Sequence, residues 1–76
     1  MHHDGIDLVS SFVIVAQELS FRRSAEILNV DRSALTRRIK KLEELNGFAL
    51  FERTTREVSL TSAGLEFYER SVKLLQ

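Results

Sequence analysis

Apolar residues recur every three or four positions through the first half of the chain, a spacing that predicts helices. The first helix is predicted over about residues 7–19. Ser20 is suited to cap a second, short helix over residues 21–28, because a serine oxygen accepts hydrogen bonds from free helical N–H groups. Asp31 is likewise suited to cap a third helix, which is predicted to end near Leu45, before the helix-stopping pair Asn46-Gly47.

The pattern changes to alternation after residue 48. Val58 and Leu60 alternate with polar neighbours, and this period of two is typical of a strand. Together with Leu50 and Phe51 they predict a small hairpin whose tip is residues 53–56. Thr61 is then suited to cap a last helix.

These elements predict a mainly α fold, a winged helix-turn-helix. Three helices and a small β-hairpin wing are expected over residues 1–60, followed by a C-terminal helix over residues 61–76.

The third predicted helix has one apolar face and one polar, basic face. The apolar side carries Leu35, Ile39 and Leu42, and the opposite side carries Ser33, Thr36, Arg37 and Lys40. Cations mixed with small hydroxyls suit phosphate oxygens and base edges in a major groove that admits a helix. A solvated basic surface helix is the alternative for such a segment alone, but the preceding helix and the following hairpin favour DNA binding.

Composition narrows the possible functions. A chain of 76 residues, 43% of them apolar, has room for one small core but not for an enzyme cleft as well. It has no cysteine and no glycine-rich phosphate loop, so no catalytic residue, cofactor or metal site is predicted. His2 and His3 are adjacent histidines without further ligands, and no apolar run is long enough to span a membrane.

The formal net charge of zero hides a segregation of charges along the chain. Residues 22–56 hold nine cations against five anions, whereas the segments on either side are acidic. The cations therefore lie where the candidate binding elements are.

Several short motifs occur together in this order: Ser20-Phe21, Ala25-Glu26, Leu28-Asn29-Val30, Ala34-Leu35-Thr36-Arg37, Leu42-Glu43, Gly47, Leu50-Phe51-Glu52-Arg53-Thr54 and Leu60-Thr61-Ser62-Ala63-Gly64. Over about residues 6–76 the chain thus resembles the N-terminal DNA-binding domain of LysR-type transcriptional regulators. The resemblance implies a cytoplasmic bacterial regulator, located at the nucleoid. It also implies that an effector-binding domain would follow Gln76, so that this chain is a fragment and a small-molecule effector acts only through the absent domain.

The resemblance also assigns site residues. It places the base-reading surface on Arg32, Ser33, Thr36 and Arg37, and a minor-groove arginine on Arg56, while the helical wheel adds Lys40. Where the family favours Ser-Gln-Pro or Ser-Gln-Ser, this chain has Asp31-Arg32-Ser33. The usual glutamine is thus an arginine, which prefers guanine O6 and N7.

The last predicted helix is more apolar than a single core contact requires. One seam, with the a/d spacing of a coiled coil, consists of Leu65, Tyr68, Val72 and Leu75, and a second consists of Ala63, Phe67 and Leu74. In the family that the chain resembles, equivalent helices pair two subunits. The expected partners are therefore double-stranded DNA at an inverted repeat and a second copy of the chain, in a homodimer or higher homo-oligomer.

Two other functions remain open from the residues alone. The chain could be a helix-mediated dimerisation or adaptor module without a DNA role, or a winged helix of another regulator family. Among the remaining cations, Arg22 and Arg23 are expected on a solvated face. Arg53 is expected to have a structural role, bridging the hairpin to Glu43 or Glu44.

Overall fold

The computed structural model describes residues 4–76, and their side chains from residue 8 onwards. The elements are α1 (Asp4–Glu18), α2 (Phe21–Leu28), α3 (Arg32–Asn46), β1 (Phe51–Arg53), β2 (Val58–Leu60) and α4 (Ser62–Leu75). The predicted winged helix-turn-helix with a further C-terminal helix is confirmed. The expectation for His2 and His3 lies outside the described residues.

Most of the predicted helix boundaries are set by the capping residues that the sequence indicated. Ser20 Oγ accepts a hydrogen bond from Arg23 N at 3.1 Å, and Thr61 Oγ1 accepts one from Gly64 N at 2.9 Å. Gly47 ends α3 in the left-handed region, with φ of 79°. Asp31 occupies the N-cap position of α3 but makes no side-chain capping bond, contrary to expectation. It begins the helix through its backbone carbonyl, which accepts from Leu35 N at 3.0 Å.

The core forms around α1. The Phe12 ring is fully buried, and its centroid lies 5.4 Å from that of Phe51 at the root of the hairpin. On its other side lie two rings of α4, Phe67 at 5.2 Å and Tyr68 at 6.4 Å. One residue of α1 therefore joins the hairpin and the last helix in a single core.

The hairpin is a short antiparallel pair with Phe51 opposite Leu60 and Arg53 opposite Val58. Its tip is residues 54–57, one residue later than predicted, because Arg53 belongs to the β1 ladder. Thr54 closes the tip: its N–H donates to Glu57 O at 2.8 Å, and its Oγ1 accepts from Arg56 N at 3.2 Å.

Candidate nucleic-acid interface

The helix α3 presents the basic face that its sequence predicted. Leu35, Ile39 and Leu42 are buried in the core. The opposite side exposes Arg32, Ser33, Arg37 and Lys40, with Thr36 half-buried beside them. This face is therefore accessible to a ligand, while the apolar face holds the helix in a fixed orientation.

The turn between α2 and α3 fixes the start of that face. Asn29 adopts the left-handed conformation, with φ of 57°, which asparagine tolerates better than most residues. The next residue, Val30, donates its N–H to Ala25 O at 3.0 Å and packs against the core. The chain thus turns within a few residues and begins α3 at Arg32.

Arg38 does not share the solvent-facing position of its neighbour Arg37. Its Nη1 donates to Ser11 Oγ of α1 at 3.1 Å, and the arginine is half-buried. Since residues on a helix are about 100° apart, Arg38 lies on the border between the polar face and the core. The sequence carries no signal for this contact, because Ser11 is 27 residues away along the chain.

The root of the hairpin is held by Glu43, a contact that the sequence did not predict. The Glu43 carboxylate Oε2 accepts from Leu50 N at 2.8 Å and from Phe51 N at 3.3 Å. The prediction that Arg53 pairs with Glu43 or Glu44 is wrong. The Arg53 guanidinium carbon instead lies 4.3 Å from the centroid of the Phe21 ring, in a cation–π contact with α2.

Beyond this root, Arg56 is exposed at the hairpin tip, where its side chain is accessible. The cations of α2 lie on a solvated face, as predicted. Arg22 forms an ion pair with Glu26 at 3.6 Å, and Arg23 forms one with Glu18 at 3.7 Å. Both pairs are accessible to solvent. Exposed pairs of this kind stabilise a fold by at most about 1 kcal/mol.

The four residues of the predicted coiled-coil seam of α4 do not share one environment. Leu65 and Leu75 are 52% and 42% exposed, and Val72 is half-buried. Tyr68 instead packs against Phe12, and its hydroxyl accepts from Gln17 Nε2 at 3.4 Å. Tyr68 is therefore mainly a contact within the domain, and the apolar surface left open is formed by its neighbours.

The second predicted seam also divides. Phe67 packs into the core, while Leu74 is 73% exposed. The boundary between the covered and the open side of α4 therefore crosses both seams.

Among the residues that the structure describes, no group of three or more His, Cys, Asp or Glu side chains is arranged to hold a metal ion. Over the same residues, no helix has the length and apolar character needed to cross a bilayer.

The family model for the bacterial regulatory helix-turn-helix protein, lysR family, matches residues 6–65. The HTH-type transcriptional regulator YbhD of Escherichia coli (strain K12) is 45% identical over 76 residues, which are all of this chain and 24% of YbhD. The HTH-type transcriptional regulator BudR of Klebsiella aerogenes is 48% identical over 64 residues, 84% of this chain and 45% of BudR. The chain thus spans less than half of the length of these relatives.

The fold is also similar to that of a BenM DNA-binding domain in a crystal structure with benA site 1 DNA. The TM-score is 0.88 at 38% identity, and the match covers 92% of this chain and 79% of the BenM chain.

Proposed function

The chain belongs to the LysR family of bacterial helix-turn-helix regulators, and from this premise we propose that it binds double-stranded DNA in a sequence-specific manner. The observation that carries the proposal is the exposed basic face of α3, opposite a face that is buried in the core. A helix with this arrangement fits the major groove, where base edges present distinct patterns of donors and acceptors. The similarity to a DNA-binding domain crystallised with DNA supports the proposal of DNA binding.

The residues of the basic face of α3 have different roles in this proposal. Arg37, one turn after Ser33, contacts a base edge or the flanking phosphate near the centre of the face. Arg32 reaches a base at the start of the helix, where arginine favours guanine. Thr36 supports base contacts with its hydroxyl, and Lys40 binds a phosphate farther along.

The hairpin acts as the wing in this proposal, with Arg56 in the minor groove. A narrow A·T-rich minor groove has an enhanced negative potential that attracts an inserted arginine. The exposure of Arg56 at the closed hairpin tip supports this role.

We further propose that α4 pairs two copies of the chain on an inverted repeat. Leu65, Val72 and Leu75 supply the open apolar surface, and Tyr68 lies at its edge. A two-fold dimer would place two α3 helices about 34–36 Å apart, or a multiple of that, on successive turns of DNA. The regulator would act in the cytoplasm without enzymatic activity, and a small-molecule effector would bind a separate domain.

Salt dependence distinguishes DNA binding from the adaptor function that the open face of α4 would also suit. For a duplex carrying the selected site, the logarithm of the association constant should fall linearly with the logarithm of the salt concentration. The slope should be about −0.9 for each phosphate contact. Lys40→Ala should reduce that slope by about one and weaken all sequences equally. A slope near zero would indicate an apolar adaptor surface instead.

Arg37→Ala tests the base-reading face directly. We expect a loss of about 1–3 kcal/mol at the selected site if Arg37 makes a bidentate base contact. Arg70→Ala is the matched control, because Arg70 is an exposed arginine on α4 whose ion pair with Glu66 is weak at 3.9 Å. Equal dissociation constants for the two variants would contradict the proposed role of α3.

A further inference from the structure

We propose that Glu43 is a positioning residue, which aims Arg56 at the minor groove by fixing the hairpin on the helix that reads the major groove. The inference rests on the proposed function, and it assigns a role to a carboxylate that does not itself face the DNA-binding surface. Glu43 lies six residues after Arg37 on α3. At a rise of about 1.5 Å per residue, this is about 9 Å along one rigid helix.

The contact that carries the inference joins a charged acceptor to two amides at the root of the hairpin. The Glu43 carboxylate accepts from Leu50 N at 2.8 Å and Phe51 N at 3.3 Å, and both of these residues are buried. Hydrogen bonds to an ionised acceptor are stronger than those between neutral groups. The start of β1 is therefore fixed relative to α3 in position and direction.

No loose segment separates this root from Arg56. From Phe51 the chain runs through the paired residues of β1 to Arg53, whose guanidinium lies over the Phe21 ring. Thr54 then closes the tip and its hydroxyl oxygen holds the Arg56 N–H. A rotation of the root about α3 is thus transmitted to Arg56.

The charge of Glu43 makes a purely electrostatic explanation testable. A carboxylate near DNA repels phosphates, so its removal alone should strengthen binding. Glu44 is the matched control, because it is the next residue of α3, carries the same charge and is exposed. A difference between Glu43→Ala and Glu44→Ala therefore reports the contacts of Glu43 rather than its charge.

The experiment uses two duplexes with the same major-groove site, one flanked by A·T pairs and one by G·C pairs. The measured quantity is the flank ratio, defined as the dissociation constant for the G·C-flanked duplex divided by that for the A·T-flanked duplex at fixed salt. It is measured for wild type and for variants shown to be folded by circular dichroism. Arg56→Ala defines the ratio without a minor-groove arginine. Arg37→Ala is the control for contacts in the major groove, because the two duplexes have the same major-groove site.

We expect Glu43→Ala to lower the flank ratio to within about twofold of that of Arg56→Ala, with Glu44→Ala retaining the wild-type ratio. Combining Glu43→Ala with Arg56→Ala should lower the flank ratio no further than Arg56→Ala alone. Arg37→Ala, in contrast, should reduce the affinity for DNA as much in the Glu43→Ala background as in wild type. Glu43→Gln should keep most of the ratio, because the amide oxygen reaches the same two N–H groups.

A folded Glu43→Ala protein with the wild-type flank ratio would overturn the inference, as would a wild-type ratio for Arg56→Ala. If Glu43→Ala does not fold, Glu43→Asp replaces it, because its shorter side chain cannot hold both amides in the same geometry. A wild-type ratio for that variant would likewise overturn the inference. Failure of the proposed function appears differently, as wild-type binding that is insensitive to salt and to Arg37→Ala.

Discussion

At the first turn of α3, Arg32 is exposed, and we propose that its side chain contacts a base edge. Arginine makes bidentate hydrogen bonds with guanine O6 and N7, whereas glutamine pairs with adenine N6 and N7. Arg32→Gln is therefore expected to change the preferred base from guanine to adenine at one position of each half-site, with little loss of overall affinity. Selection of bound sequences from random duplexes, with wild type and with Arg32→Gln, measures this change. Identical selected sites would show that Arg32 contacts only the DNA backbone.

Ser24 of α2 is expected to lower the stability of the fold. Its hydroxyl is fully buried and has no protein partner among the described residues. Burying an unsatisfied hydroxyl costs free energy, so Ser24→Ala is expected to raise the free energy of unfolding by about 1 kcal/mol.

Ser71 is the control for this substitution, since it is also a buried helical serine. Its Oγ donates to Phe67 O at 2.8 Å, so Ser71→Ala removes a bond that Ser24→Ala does not. Denaturant unfolding of both variants provides the measurement. A loss of stability in Ser24→Ala as large as in Ser71→Ala would mean that Ser24 has an acceptor after all.

The side chains that sequence reasoning placed correctly are those whose partners are close along the chain. Ser20 and Thr61 cap helices by accepting hydrogen bonds from backbone N–H groups three residues ahead, and such bonds depend only on local geometry. Arg38, Glu43 and Arg53 were placed wrongly or not at all, because each contacts another element. Which element lies opposite a charged residue is decided by packing, and the local pattern carries no signal for it.

Among the elements, α4 meets the hairpin at a point where no side chain fits. A Cβ added to Gly64 would overlap the Leu50 carbonyl, which already accepts from Thr61 N at 3.0 Å. Glycine to alanine usually stabilises a helix by about 1 kcal/mol. Gly64→Ala is expected to have the opposite sign and to lower the free energy of unfolding by about 1–3 kcal/mol, because α4 must shift away from the chain leading into β1.

Thermal or denaturant unfolding measures this effect, with Glu66→Ala as the control on the exposed side of α4. Surface substitutions of that kind change stability by less than about 0.5 kcal/mol. A Gly64→Ala protein as stable as the control would show that the helix adjusts without cost.

The faces of α4 were less predictable than its ends. Both the side that packs on the domain and the side that would face a partner are apolar and share the helical period. The spacing therefore grouped Tyr68 with Leu65 and Leu75, although Tyr68 contacts Phe12 while the two leucines are largely open. Only the position of α1 against α4 separates the two sides.

For the whole molecule, we propose that the open side of α4 pairs two copies and so sets how two DNA-binding units are spaced. Val72 is half-buried and lines a groove with Tyr68 and Lys73, and Leu65 and Leu75 of the same helix are exposed. A charge at this position would have to be desolvated if two α4 helices pair, and an unpaired buried charge is strongly unfavourable. Val72→Glu is therefore expected to abolish cooperative binding to a full inverted repeat while half-site affinity stays nearly unchanged.

Leu74→Glu separates this effect from the added charge alone. Leu74 is 73% exposed, and two residues from Val72 along a helix place it on the opposite side, so the same substitution there should leave cooperativity intact. Sedimentation with a full site, together with half-site titrations of wild type and both variants, measures assembly and affinity separately. If wild type occupies the two half-sites independently and Val72→Glu behaves identically, α4 does not pair the subunits. If only Leu74→Glu abolishes cooperativity, the pairing surface is the other side of the helix.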